Sequence, residues 1–200
     1  MSTSTKFVRM LVVASMAGCP CLLQPTLASA APPPFTPGEQ QISMDFPSGT
    51  WAIYAAGQGQ ILAQTFTPSS NQALGYLLLP VGCTDALIGV TIRDGMGGPI
   101  LYQSNHVVPD RVTGEYQLLQ VYDPAKTQGT RLRKGHEYAF ELAAIPVSGS
   151  SGGTCGIVKG PASNGYGNGQ AYYEDVPVNG PGFIPIDATG GDLPFSTLVR

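Results

Sequence analysis

Ala86-Leu87-Ile88-Gly89-Val90-Thr91-Ile92-Arg93-Asp94 changes face at every step: Ile88, Val90 and Ile92 share one side, and Leu87, Gly89, Thr91 and Arg93 the other. A half-buried β-strand requires that period, because successive side chains leave the backbone on opposite faces of the sheet. The following Asp94-Gly95-Met96-Gly97-Gly98-Pro99 closes the strand, since glycine supplies positive φ and proline ends a hydrogen-bond ladder.

The same texture extends in both directions. In Ile61 to Phe66, Leu62, Gln64 and Phe66 oppose Ile61, Ala63 and Thr65, and in Glu137 to Ile145, Tyr138, Phe140, Leu142 and Ala144 point inward while Glu141 points out. Leu74 to Val81 is the most apolar stretch, and its length suits a strand. Ile42 to Phe46, Trp51 to Ala56, Ile100 to Val108, Tyr116 to Asp123, Cys155 to Val158, Ala171 to Tyr173 and Phe195 to Val199 are further candidates, bounded by Gly, Pro, Asn and Asp. Pro124 to Gly135, which carries Lys126, Arg131, Arg133 and Lys134, reads as a solvated turn. No apolar stripe of helical period runs for ten residues. The fold class is therefore all-β, and the expected architecture is a jelly-roll-like antiparallel β-sandwich, with an up-and-down barrel as the alternative.

Residues 1–30 read as a signal peptide. Lys6 and Arg9 precede an apolar run from Met10 to Leu23, and Ala28-Ser29-Ala30 supplies a small-x-small cleavage pattern. A competing reading takes Met16-Ala17-Gly18-Cys19 as a lipobox, with lipidation at Cys19. Residues 31–40, rich in proline, are expected as an extended linker, and residues 41–200 as a single domain. No later apolar segment is long enough to anchor the chain, so a secreted or periplasmic location is expected, the lipoprotein being the alternative.

The full chain has 10 Lys plus Arg against 13 Asp plus Glu. Removing Lys6 and Arg9 leaves eight cations against thirteen anions, a balance without the basic footprint that phosphate backbones demand. Nucleic acid and anionic membrane surfaces are thereby disfavoured as partners. Outside the leader only Cys83 and Cys155 remain of the four cysteines, and in an oxidising compartment they are expected to form one disulfide.

Groups that support catalysis are sparse. His106 and His136 are the two histidines and lack metal-ligand spacing. Gly149-Ser150-Ser151-Gly152-Gly153 resembles a nucleophile elbow in composition alone. Glu137 and Glu141 share one face of a strand, expected to be the solvent face. Asp85, Asp94, Asp187 and Asp192 adjoin turns where carbonyls could complete oxygen coordination, so structural calcium is a possible cofactor.

Binding requires less: aromatic platforms and a few planar polar groups. Trp51, Tyr54, Tyr166, Tyr172 and Tyr173 lie near predicted loops or strand ends, and Asn164, Asn168 and Gln170 can donate and accept at once. These form the expected ligand-binding group.

Ala63-Gln64-Thr65-Phe66-Thr67, Val90-Thr91-Ile92-Arg93-Asp94, the run from Leu132 to Phe140, Gly169-Gln170-Ala171-Tyr172-Tyr173 and the closing Asp192-Leu193-Pro194-Phe195-Ser196-Thr197 follow one another in an order. That order resembles jelly-roll modules of bacterial secreted and surface proteins, over roughly residues 60 to 200. The resemblance implies the fold more strongly than a ligand; many such modules are uncharacterised or accessory to carbohydrate-active enzymes and surface proteins. The expected function is a secreted non-catalytic binding module for carbohydrate or another cell-surface polymer. The alternative is a structural or protein-interaction component of the cell envelope, with an envelope protein as partner.

Overall fold

The computed structural model describes residues 34–45, 49–55, 60–126, 129–149, 152–161, 166–186 and 191–200. The expected leader, Cys19, Asn164 and Asp187 lie outside the described residues. In chain order the described strands are β1 (Thr36–Gln41), β2 (Thr50–Tyr54), β3 (Gln60–Phe66), β4 (Gln72–Leu79), β5 (Val81–Thr84), β6 (Ala86–Arg93) and β7 (Ile100–His106). They continue with β8 (Gln117–Gln120), β9 (Thr130–Leu132), β10 (Tyr138–Pro146), β11 (Thr154–Val158), β12 (Ala171–Asp175), β13 (Ile184–Pro185) and β14 (Phe195–Val199). One helical turn, α1 (Val176–Asn179), follows β12.

These strands form three antiparallel sheets. The first has the order β1-β14-β4-β8, with β9 also paired to β4. The second runs β13-β12-β3-β10-β6-β7, and a small third sheet runs β2-β11-β5. The two large sheets face each other across an aromatic core. Phe66 and Phe140 come from the second sheet and Phe195 from the first, with Phe195 centroids 6.3 and 5.4 Å from the other two. All three rings are fully buried, as are Ile88, Val90, Ile92 and Leu142 beside them. The alternation quoted for Ala86 to Asp94 thus sends its β-branched side into this layer, where burying each such side chain contributes about 1.5–3 kcal/mol.

Three expectations about strand and linker placement differ from the fold. Residues 36–40, expected within the linker, belong to β1, which pairs with β14 in the register Thr36↔Val199 and Gln41↔Phe195. Pro37 is tolerated because β1 is an edge strand and its pairing is irregular between Pro37 and Gln40. The candidate strand from Ile42 is not formed over residues 42–45, and Phe46 lies outside the described residues. The basic turn contains β9, so Arg131 sits opposite Ala73 in the first sheet.

Glu141 is also not a solvated residue. It occupies the outer face of the second sheet, as its alternation requires, yet it is only 5 % exposed. Arg93 explains this, because its Nε donates to Glu141 Oε1 at 2.6 Å and its Nη1 donates to the Gly98 carbonyl at 2.9 Å.

The third sheet is held by the expected disulfide. Cys83 and Cys155 are direct partners across β5 and β11, with Cα atoms 4.0 Å apart. On the opposite face of the same two strands Gly82 and Gly156 are also partners. A Cβ on Gly82 would lie 2.3 Å from the Arg111 backbone, and one on Gly156 would lie 2.8 Å from Val112 Cγ2. The paired glycines therefore open a slot for the segment after β7. That segment is fixed by Cys83 N donating to Pro109 O and Thr84 Oγ1 donating to Asp110 O, both at 2.8 Å.

Candidate functional site

Alternation along β12 decides what reaches the cleft beside the third sheet. Tyr173 is the Cα partner of Leu62 and Asp175 of Gln60, so Tyr173 and Asp175 share one side while Tyr172 and Glu174 take the other. On β2, Trp51 shares a side with the fully buried Ile53. A cleft of about 190 Å³ opens between these strands, bordered by Trp51, Ile53, Gln60, Leu62, Tyr173 and Asp175. Both aromatic residues are partly buried against the core.

Its polar groups are only partly used. Gln60 Nε2 donates to Asp175 Oδ2 at 2.9 Å, and Gln60 Oε1 accepts from the Tyr54 amide at 3.1 Å. The amide therefore ties β2 to β12 and fixes one oxygen of the carboxylate. Asp175 Oδ1 and the Trp51 Nε1 proton have no partner among the described residues, although both atoms are shielded from water. Such orphaned groups are uncommon in folded proteins and each costs about 1–3 kcal/mol. Lys159 Nζ lies 4.5 Å over the Trp51 ring, so one indole face is already engaged by a cation.

The expected ligand-binding residues separate in the fold. Trp51 and Tyr173 meet at the cleft, and Tyr54 is exposed nearby on β2. Tyr172 lies on the outer face of the second sheet, where burial and then the Glu137 charge push its phenol upward. Tyr166 is 6 % exposed; it packs edge-on against Phe195 at 5.2 Å and its hydroxyl donates to Glu39 Oε2 at 3.3 Å. It presents no ring face to a polymer, and burial pushes its phenol well above the ordinary tyrosine range. Gln170 Nε2 donates to the carbonyls of Ala171 and Ile186, at 3.0 and 2.7 Å, which fixes the strand behind it. Asn168 is exposed in the turn before it.

Of the aspartates considered for calcium, the three described ones, Asp85, Asp94 and Asp192, do not gather. Asp192 is 1 % exposed and its oxygens accept from Gln64 Nε2 and the Tyr166 amide, each at 3.0 Å. Burial pushes its carboxyl up, against the pull of those bonds and one from the Ala171 amide. Asp94 pairs with His136, and Asp85 turns the chain at φ 54° between β5 and β6. Among the described residues no three His, Cys, Asp or Glu side chains converge on a metal-sized site.

Gln60 and Asp175 are cleft residues that the sequence reading missed. The available signal was the Tyr-Tyr-Glu-Asp run at 172–175, where a strand's alternation pairs the second tyrosine with the aspartate. A second groove of about 310 Å³, bordered by Leu101, Tyr102, Tyr122, Asp123 and Arg131, was also missed. Compared with models of known protein families and with curated proteins, the chain matches none.

Proposed function

We propose that this chain is a secreted, non-catalytic binding module whose cleft between β2 and β12 takes a single ring of an extracellular carbohydrate. The observation that carries this reading is the meeting of Trp51 and Tyr173 with a carboxylate and an amide in one cleft. Sugars present apolar C–H patches and rings of hydroxyls, and they are matched by aromatic surface beside planar hydrogen-bonding groups. At about 190 Å³ the space is below the roughly 300–1,000 Å³ of ordinary ligand pockets, which suits one ring rather than a long buried chain. A jelly-roll-like sandwich is the architecture we infer, because the chain crosses repeatedly between the large sheets, from β3 to β4, from β4 to β6 and from β7 to β8. The disulfide fits an oxidising compartment.

The test uses Trp51, the sole tryptophan. Titration with monosaccharides and short oligosaccharides should change its fluorescence saturably, and Tyr173→Ala should weaken the response. Absence of any response at millimolar sugar would end the reading.

A second reading, an envelope component that binds another protein, is favoured by β7. This edge strand carries no Lys, Arg, Asp, Glu or Pro and exposes Ile100 and Leu101, with Val107 exposed just beyond it. Such an edge is open to pairing with an added strand.

A further inference from the structure

We infer that the outer face of the first sheet carries a second binding site, a groove bordered by three arginines that takes a phosphate monoester on a small ligand. It shares no residue with the cleft between β2 and β12 and stands independently of the carbohydrate reading. The site is built around Ala73 on β4. The Ala73 amide donates to the Arg200 carbonyl at 2.8 Å and its carbonyl accepts from the Arg200 amide at 3.1 Å, while Arg131 of β9 is its partner on the other side. Side chains directly opposite one another across paired strands leave the same face, so Arg131, Ala73 and Arg200 project together. Their chain neighbours Leu74, Leu132 and Val199 are buried, which puts the three on the solvent face. Only a methyl group stands between the two arginines. A groove of about 530 Å³ opens there, bordered also by Asn71 and Arg133, and its volume falls in the roughly 300–1,000 Å³ range of ordinary ligand sites.

The groove carries one sign of charge, and its donors are held in place. No Asp or Glu side chain among the described residues borders it, although acidic residues outnumber basic ones in the chain as a whole. The guanidinium carbon of Arg200 lies 4.9 Å from the Phe35 ring centroid, and a ring face attracts the charge without using up the N–H fork. Phe35 is fixed in turn, edge-on to Tyr76 at 5.0 Å and over Gly75, where any Cβ would collide with it. Arg133 extends from a turn pinned by three backbone amides, each donating at 2.9 Å: its own to the Tyr138 hydroxyl, that of Lys134 to Asn71 Oδ1 and that of Gly135 to the Pro68 carbonyl. Asn71 thereby spends its oxygen and keeps its NH2 as a donor. Neither Arg133 nor Arg200 is paired with a carboxylate among the described residues. Arg131 has contacts of its own and adds charge beside them. Donors fixed in this way lose little freedom when an anion arrives.

This arrangement selects both the charge and the size of the ligand. A carboxylate is satisfied by one bidentate arginine fork, whereas forks arriving from β9, from the turn after it and from the end of β14 match an anion whose oxygens point three ways. A phosphate monoester offers three acceptor oxygens and close to two negative charges at neutral pH. A sulfate ester offers the oxygens with a single charge. A long polyanion would run from the groove onto a surface of net negative charge, so one compact anion is the better match.

The experiment is isothermal titration calorimetry of the whole chain at neutral pH and low salt with glucose 6-phosphate, glucose 6-sulfate, glucuronate and glucose, which hold the ring constant and change the anion. Glucose 6-phosphate should bind about tenfold or more tighter than each of the others, the difference that one further charged hydrogen bond makes. Arg200→Gln and Arg133→Gln should each weaken it about tenfold, and Tyr173→Ala, in the other cleft, should leave the preference unchanged. Equal binding of the phosphate and the sulfate, or preference for glucuronate or glucose, would overturn the phosphate assignment. Loss of the preference in Tyr173→Ala with none in the arginine variants would overturn the site. Arg133 is exposed on its turn, so Arg133→Gln and the ligand series on the unsubstituted protein remain decisive even if Arg200→Gln does not fold.

Discussion

Gln64 and Asp192, 128 positions apart in sequence, join side chains at 3.0 Å with neither accessible to solvent. Gln64 Oε1 also accepts from the Leu193 amide at 2.9 Å, so the glutamine uses both ends of its amide on the segment that leads into β14. Asp192 in turn accepts from the Tyr166 amide, which places Tyr166 against Phe195. One buried amide–carboxylate pair thus fastens the last strand of the first sheet to the second.

Asp192→Asn should destabilise the fold by about 1–3 kcal/mol, because one carboxylate acceptor becomes an NH2 facing a buried donor. Denaturant unfolding checks this through a lowered midpoint at unchanged slope. An unchanged midpoint would show that the clamp contributes nothing net.

Arg93 and Glu141 make a pair of a different kind. The arginine is on β6 and the glutamate on β10, and side-chain exposure is 25 % and 6 %. Arg93→Ala leaves the carboxylate shielded without its counter-ion and should cost about 3 kcal/mol. Arg93→Met combined with Glu141→Leu should cost clearly less than Arg93→Ala alone, since no uncompensated charge remains. A double variant as unstable as the sum of its single substitutions would contradict this account.

Gly82 and Gly156 define a packing test. Gly82→Ala puts a methyl group into the backbone of Arg111, which cannot yield without moving the segment from Pro109 away from β5. A loss of about 2–3 kcal/mol is expected, the upper part of the range for overpacking. Gly149→Ala tests a different constraint, because Gly149 has open space around its Cβ position but a φ of +87°. It should show a smaller loss arising from backbone strain alone.

How much of this was legible follows from the range over which each feature acts. Alternation in Ala86 to Asp94 and in Tyr138 to Ala144 is local, and it predicted the inward faces of β6 and β10. The cysteine pair was legible because two thiols outside the expected leader leave one pairing. Glu141 was misread because its partner Arg93 lies 48 residues away. The Trp51–Tyr173 cleft needed Gln60 beside Asp175, 115 residues apart, and no local pattern encodes that. β1 was hidden by Pro37 and the run of prolines just before it, and a proline suits an edge strand as well as a linker. Tyr166 sits in a Gly/Asn-rich setting that reads as a surface excursion, and its burial depends on the returning Phe195.

His106 provides the pH test. Its Nε2 lies 2.8 Å from Ser104 Oγ on the same face of β7, and burial lowers its affinity for a proton below that of a free imidazole. The unfolded chain therefore binds the proton more readily than the fold does. The contribution to stability is fully present above the unfolded value of about 6.5 and is lost as pH falls through the imidazole range. Relative to His106→Gln, the unsubstituted protein should lose stability on going from about pH 8 to about pH 5. A proton NMR titration should place the His106 midpoint below the free value; a midpoint at or above it would refute the assignment.

The disulfide closes a sequence separation of 72 residues, for which loop-closure entropy predicts about 4 kcal/mol of stabilisation. Cys83 and Cys155 are also partners in an intact ladder, flanked by Thr84↔Thr154 and Gly82↔Gly156, so the strands remain paired by backbone bonds when the sulfurs are reduced. The expected outcome is a reduced protein, or a Cys83→Ala/Cys155→Ala variant, with the same far-ultraviolet β spectrum and a clearly lower denaturant midpoint. Loss of the spectrum under native conditions would mean that the third sheet depends on the covalent bond rather than on its packing. Equal midpoints would mean that the unfolded chain already holds β5 and β11 close together, which would remove the entropic basis for the bond's contribution.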